Sequence, residues 1–202
     1  MNFLAIDTSG RHLTVLAFHD GALTRRYLPD CALSHSVRLM DEIDAALAEA
    51  GMAPADCDFF AAVVGPGSFT GIRIGIATVK GLCFGCAKPA LAVTSFDVVA
   101  YAEESGPVAA VTDAGHGYVY LCAYDASKKI ALSPRYVPAA EAEALRGEYR
   151  LAAAEPCCLV CDLLDPAEGL YRAVLARQGE RCGADALSAL YLRRSSAEER
   201  RQ

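Results

Sequence analysis

Apolar residues along the chain fall into short continuous runs and longer stretches of helical spacing, in an order that repeats once. Phe3-Leu4-Ala5-Ile6 followed by Asp7 reads as a first strand buried on both faces, because the run is continuous rather than alternating. Thr8-Ser9-Gly10 turns the chain, and Leu13 to Phe18 forms the next strand. His19-Asp20-Gly21 is a hairpin turn of the Asp-Gly kind, returning Ala22 to Leu28 as a third strand that Pro29 ends. Ser34 can cap a helix with apolar positions Val37, Met40, Ile43 and Leu47, widened by Leu39, Ala46 and Ala50 and closed by Gly51 and Pro54. So broad an apolar face exceeds what one sheet surface covers and points to a second contact. Phe59 to Val64 is a central strand, and a helix runs from Phe69 to about Phe84. Ala90 to Val93 is a fifth strand, and Ser95 can cap a short helix ending near Tyr101.

The central helix has two stripes. Ile72, Ile76, Val79 and Cys83 make a core-facing one. Gly71, Gly75, Thr78, Leu82 and Gly85 make a second, mostly of small residues. Glycine within a helix costs up to about 1 kcal/mol relative to alanine, so this stripe implies close approach of another backbone. It is read here as a partner's helix.

After Gly106-Pro107 the pattern starts again. Ala109 to Gly115 and Tyr118 to Asp125 echo the opening strand, turn and strand, and Asp113 stands where Asp7 stood, at an offset of 113 − 7 = 106. A strand near Arg135 to Val137, a short helix Glu141 to Arg146, a strand Leu151 to Ala154, a helix Gly169 to Arg177 and a closing segment Asp185 to Tyr191 follow. The expected division is residues 1–104 and a smaller second unit, 105–202.

Composition narrows the class. The 202 residues are 53% hydrophobic and 22% charged, as expected of a chain with a substantial core, and the apolar stretches read as broken before membrane-spanning length. The opening residues have no basic region or cleavage site, so a cytoplasmic location is expected. A net charge of −6 disfavours unaided binding to a phosphate backbone, and the basic cluster Arg193, Arg194, Arg200 and Arg201 is partly offset by Glu198 and Glu199. Nine cysteines include two CxxC pairs, Cys83/Cys86 and Cys158/Cys161, but the first lies in an apolar helix without a zinc-knuckle turn. Core filling by free thiols is the expected role, and no metal is expected.

The loop Gly65-Pro66-Gly67-Ser68-Phe69-Thr70-Gly71 joins the central strand to its helix, with Ser68 or Thr70 as the cap. It lacks the lysine of a phosphate-binding Walker loop, and Gly65, Gly67 and Gly71 are one residue too widely spaced for the dinucleotide fingerprint. No Gly-x-Ser-x-Gly elbow surrounds Ser68, so a serine nucleophile is not indicated.

Duplicated β-β-β-α-β-α halves, each with an aspartate ending its first strand, resemble the actin, sugar-kinase and Hsp70 architecture. The implied fold is α/β, with two RNase H-like, actin-like (ASKHA) domains of mixed sheets flanked by helices, the second abbreviated. A narrower resemblance rests on Ile6-Asp7-Thr8-Ser9, Ser34-His35-Ser36 with Leu39 and Met40, the run Gly65 to Gly75, and Lys80-Gly81-Leu82. Leu190-Tyr191-Leu192-Arg193-Arg194 with Ala197-Glu198 adds to it. Together these resemble the TsaB (YeaZ) family, partner subunits in threonylcarbamoyladenosine synthesis on tRNA. The likeness is dense over residues 1–100 and thin from 101 to 190. In the second turn, Asp113-Ala114-Gly115-His116-Gly117, His116 replaces a more usual arginine.

The resemblance implies a non-catalytic scaffold pairing with a TsaD-like catalytic subunit, joined by a TsaE-like ATPase, reaching tRNA only through that complex, and a homodimer when alone. The implied interface is His35, Leu39, Met40, Ile43, Gly71, Arg73, Gly75, Thr78 and Leu82. The catalytic relative holds its metal with two histidines one helical turn apart, whereas here Leu39 stands four residues after His35. No cofactor of its own is implied, although ATP at the partner or a subunit junction fits. Asp7, Thr8, Ser9 and Asp113 are the candidate nucleotide loop, with satisfaction of turn amides the simpler role for the aspartates. The competing function is a stand-alone ATPase or small kinase of the actin-like superfamily.

Overall fold

The computed structural model describes residues 1–32 and 34–193, so Arg194, Ala197, Glu198, Glu199, Arg200 and Arg201 lie outside the described residues. The first half holds β1 (Phe3–Asp7), β2 (Leu13–His19), β3 (Ala22–Leu28), α1 (His35–Glu49), β4 (Phe59–Val63), α2 (Phe69–Cys86), β5 (Ala90–Val93) and α3 (Ser95–Ala102). The second holds β6 (Val108–Gly115), β7 (Tyr118–Tyr124), β8 (Ile130–Pro138), α4 (Ala139–Glu143), β9 (Arg150–Ala153), β10 (Asp162–Leu163) and α5 (Pro166–Arg177). The two sheets are ordered β3-β2-β1-β4-β5 and β8-β7-β6-β9-β10, one topology used twice. In each, the first strand pairs antiparallel with the second and parallel with the fourth. Asp7 and Asp113 stand at equivalent places.

The continuous apolar strands are covered on both faces. Successive side chains of a strand point to opposite faces, so Leu4, Ile6, Phe60 and Ala62 face α1 and α2, while Phe3, Ala5, Phe59, Ala61 and Val63 face α5 and Val98 of α3. Phe3 stacks on Phe18 and Phe59 at 5.3 and 5.4 Å between centroids. The other face of α3, Phe96, Val99 and Ala100, packs on Val108, Ala110, Cys122 and Ala152 of the second sheet. One helix thus holds the two sheets together.

The chain's last third returns to its first. Helix α5 packs against α3, β1, β2 and β5, and Gly169 comes so close to α3 that a Cβ there would lie 2.0 Å from the Val98 carbonyl oxygen. Cys182 pairs with Ala90 on the β5 edge, and Leu190 N donates to the Val64 carbonyl at 2.8 Å. The expected second unit, 105–202, therefore contributes residues 166–190 to the first sheet's core.

Local details depart from expectation where side chains find better partners. Ser34 precedes α1 without capping it; its hydroxyl donates to the Cys31 carbonyl at 3.3 Å. Thr94, not Ser95, caps α3, in a reciprocal box with Asp97. Ser95 is the first helical residue, and its hydroxyl donates to the Pro66 carbonyl at 2.8 Å. In α1 the buried stripe is Leu39, Ile43, Ala46 and Leu47, which turns Val37 and Met40 outward. Helix α2 is long and apolar enough to cross a membrane by length and composition, contrary to the expectation of interruption. Its Ile72, Ile76, Val79 and Cys83 stripe is packed in the core, as its spacing predicts.

Candidate functional site

A cavity of about 320 Å³ opens between the two sheets. Its floor is built from the β1–β2 turn, the glycine-rich loop before α2, the start of α3, and the equivalent strand end of the second sheet with Glu155 and Pro156. Asp7 and Asp113 both line it.

The glycine-rich loop is seated on the β1–β2 turn. Ser68 N donates to the Ser9 carbonyl at 2.7 Å, and Ser68 Oγ accepts from Gly71 N at 3.2 Å, which makes Ser68 the helix cap. Gly65 adopts φ +100°. Gly67 and Gly71 do not have positive φ; they permit contact instead, since a Cβ would lie 2.3 Å from Ser9 O and 2.0 Å from Thr8 O. A Cβ at Gly75 would meet Thr8 Oγ1 at 2.5 Å. The close neighbour of Gly71 and Gly75 is thus this chain's own Thr8, by its backbone at Gly71 and by its side chain at Gly75.

Asp7 is buried and fully engaged. Its Oδ1 accepts from Ser9 N at 2.8 Å and Ser9 Oγ at 2.7 Å, and its Oδ2 lies 3.1 Å from His12 Nε2. His12 Nδ1 lies 2.6 Å from Glu155 Oε1, a residue of the second half, which also accepts from Arg11 N at 2.6 Å and His12 N at 3.0 Å. Burial opposes the imidazolium, but carboxylates on both ring nitrogens override it and raise its pKa to about 10. Burial likewise opposes ionisation of Asp7 and Glu155, and His12 outweighs it, holding both carboxyls below their usual range. His12 is therefore the cation of an Asp–His–Glu relay that ties the two halves together. The sequence does not reveal this pairing, because Glu155 is 143 positions away.

Of the groups expected to face a nucleotide, Asp7, Thr8 and Ser9 are spent on these contacts, and Asp113 lines the cavity. Thr8 Oγ1 donates to the Gly71 carbonyl at 2.7 Å, Ser9 Oγ serves Asp7, and Asp7 is paired with His12. The cavity wall carries the carboxylates of Asp7, Asp113 and Glu155 against the cations Arg11 and His12, a poor cradle for a polyphosphate. Among the described residues no group of three or more His, Cys, Asp or Glu gathers in a way that could hold a metal ion. His35 is buried, with Nε2 2.9 Å from the His12 carbonyl, so its role is to fix the start of α1.

The expected partner surface divides. His35, Leu39, Ile43, Gly71 and Gly75 are buried within this chain, so their assignment to an interface is corrected: the sheet and the Thr8 turn already cover them. Thr78 and Leu82 are half-buried. Arg73 is exposed, but its guanidinium lies 3.7 Å over the Phe69 ring and its Nε donates to Tyr191 Oη at 2.9 Å. Met40 is 49% exposed, joined on α1 by Val37 at 72% and on α2 by Phe84 at 63%. Ala77, Gly81 and Phe84 line up at helical spacing, and an added Cβ at Gly81 or Gly85 would meet nothing within 4 Å. The small-residue stripe therefore packs inward at one end and faces open space at the other.

Two mixed sheets of one duplicated topology, with an aspartate from each at the cleft between them, define an actin-like α/β protein. A family model described as "TsaD: tRNA N6-adenosine threonylcarbamoyltransferase" matches residues 29–156. The TsaB proteins of Bacillus subtilis (strain 168) and Escherichia coli (strain K12), both named tRNA threonylcarbamoyladenosine biosynthesis proteins, are 33% identical over 126 and 128 residues. Each alignment covers 61% of this chain and 55% of the relative, so the chain spans about half the length of the curated relatives it matches. The solved structure of YeaZ from Pseudomonas aeruginosa superposes with a TM-score of 0.78 at 29% identity, covering 95% of this chain and 99% of that one. The chain belongs to the family that this model describes, and within it to TsaB/YeaZ.

Proposed function

We propose that this protein is a non-catalytic partner subunit in threonylcarbamoyladenosine synthesis on tRNA, binding a TsaD-like transferase through the outer face of α1 and α2. The observation that carries the reading is the exposed apolar set Val37, Met40 and Phe84 on two adjacent helices. Large apolar side chains left exposed on neighbouring helices, two of them one turn apart on α1, mark contact with another protein, and the open glycines of α2 suit close helix approach. The naming of the TsaB relatives for the same pathway supports the assignment. The same face serves a homodimer when the partner is absent, and a TsaE-like ATPase joins the assembly. A net charge of −6 favours tRNA contact through the complex rather than by this chain alone, with a cytoplasmic place of action.

The engaged state of Asp7, Thr8 and Ser9 argues against the alternative of a stand-alone ATPase or kinase. ATP, where the pathway uses it, belongs at the partner or a subunit junction. The test is co-purification of the chain with a TsaD-like subunit, using wild type and Met40→Glu. Retention of the partner by wild type and its loss from the variant is expected. Failure of wild type to retain it, with steady ATP turnover by the isolated chain, overturns the reading.

A further inference from the structure

The CxxC spacing pairs Cys158 with Cys161, but folding brings a different couple together. In the loop between β9 and β10 the sulfurs of Cys157 and Cys161 are 3.7 Å apart. Both side chains are part-buried, whereas Cys158 is exposed and sits beside Asp113 at the cleft. The intervening turn is held by Arg146, whose Nη2 donates to the Val160 carbonyl at 2.7 Å. The hydrogen bond shared by the two sulfurs holds the Cys157 thiol below the usual thiol range and Cys161 above it, so one sulfur ionises while the other keeps the proton. Burial instead pushes Cys57 up to about 12 and Cys83 and Cys122 up to about 11, the condition of inert core thiols. The loop also begins at the residues that close the cleft, since Glu155 stands two positions before Cys157 and grips His12 and Arg11.

We propose that Cys157 and Cys161 form a reversible oxidation site, closed by hydrogen peroxide into an intramolecular disulfide that loosens the grip of Glu155 on the interdomain cleft. The Cys157 thiolate attacks one peroxide oxygen; the O–O bond breaks, leaving Cys157 as the sulfenic acid and releasing hydroxide, which takes up a proton. The Cys161 sulfur then attacks the sulfenic sulfur, the S–S bond forms as S–O breaks, and the departing hydroxide leaves as water with the Cys161 proton. The two thiols lose two protons and two electrons, and peroxide becomes two waters. Closure draws sulfurs now 3.7 Å apart to the bonded distance of about 2.05 Å. The movement falls on a short segment whose other end is pinned at Glu155.

The experiment treats the full chain with equimolar hydrogen peroxide, blocks remaining thiols with iodoacetamide, and maps the peptides by mass spectrometry. A Cys157–Cys161 disulfide, restored to free thiols by dithiothreitol, is expected in wild type and in Cys158→Ser. In Cys161→Ser, where the resolving thiol is gone, dimedone is expected to label Cys157. Amide exchange at Arg11 and His12, whose N–H groups donate to Glu155, is expected to be several-fold faster in the oxidised chain. Oxidation of Cys158 with Cys157 and Cys161 both alkylated overturns the site. Formation of the disulfide with unchanged exchange at Arg11 and His12 overturns its link to the cleft.

Discussion

Gly71 and Thr8 are joined in both directions. The Thr8 hydroxyl donates to the Gly71 carbonyl at 2.7 Å, and the Thr8 carbonyl oxygen lies where a Cβ on Gly71 would come within 2.0 Å. No side chain fits without moving backbone, because the obstacle is a main-chain atom. Gly71→Ala is therefore expected to destabilise by about 1–3 kcal/mol or more, the range for overpacking, despite alanine's better helix propensity. Gly75→Leu is expected to block folding rather than only association. Gly81→Ala, with open space around it, is expected to gain up to about 1 kcal/mol. Denaturant unfolding of the three variants separates these outcomes, and a folded, undiminished Gly71→Ala would contradict the packing.

How much of this was legible in the sequence follows from what each signal measures. Continuous apolar runs and 3.6-residue spacing located β1, β4 and α2 within a residue or two, because burial pattern depends on local periodicity. The same spacing showed that Gly71 and Gly75 face a close neighbour but not which one, and the neighbour is the chain's own Thr8 turn. In α1, Leu39 and Met40 are both apolar, and only the placement of the sheet decides that Leu39 goes in and Met40 out. Glu155 meeting His12 left no trace in either segment, since charge pairing across so many residues has no period. The return of α5 to the first sheet escaped for the same reason.

The Asp7–His12–Glu155 relay gives stability a particular pH dependence. His12 has its pKa raised from 6.5 to about 10, so the folded chain binds this proton more tightly than the unfolded one. Its contribution is whole below pH 6.5 and is lost as pH rises through about 10. Asp7 and Glu155, lowered from 3.8 and 4.5, contribute above those values and lose their contribution as pH falls through their folded pKa values. Stability measured by thermal unfolding is expected to fall on both sides of a plateau at pH 5 to 6.5.

Removing the relay's cation leaves Asp7 and Glu155 without the imidazolium between them, held only by backbone and hydroxyl donors. His12→Ala is expected to cost about 3–5 kcal/mol, the usual consequence of breaking a buried ion pair from one side. It should also abolish the decline between pH 6.5 and 10 that His12 causes in wild type. Denaturant titrations of both proteins at pH 6 and pH 9 check this. An equal loss at both pH values would show that His12 acts by packing alone.

On the outer face, stability and association should part. Phe84 is 63% exposed, so Phe84→Glu is expected to change folding stability by less than about 0.5 kcal/mol. Its affinity for a TsaD-like subunit should fall at least about ten-fold, as loss of 1.4 kcal/mol requires. Binding isotherms beside thermal unfolding of the variant alone read the two effects separately, and unchanged affinity would place the interface elsewhere.

The proposed role is support of the transferase without performance of the transfer. The direct measurement is reconstitution of threonylcarbamoyladenosine formation on tRNA from a TsaD-like subunit, a TsaE-like ATPase and the threonylcarbamoyl donor, with and without this protein. Modification is expected only when the chain is present, with none from the chain acting alone and its loss with Met40→Glu. Modification at the same rate without the chain, or by the chain without the TsaD-like subunit, would contradict it.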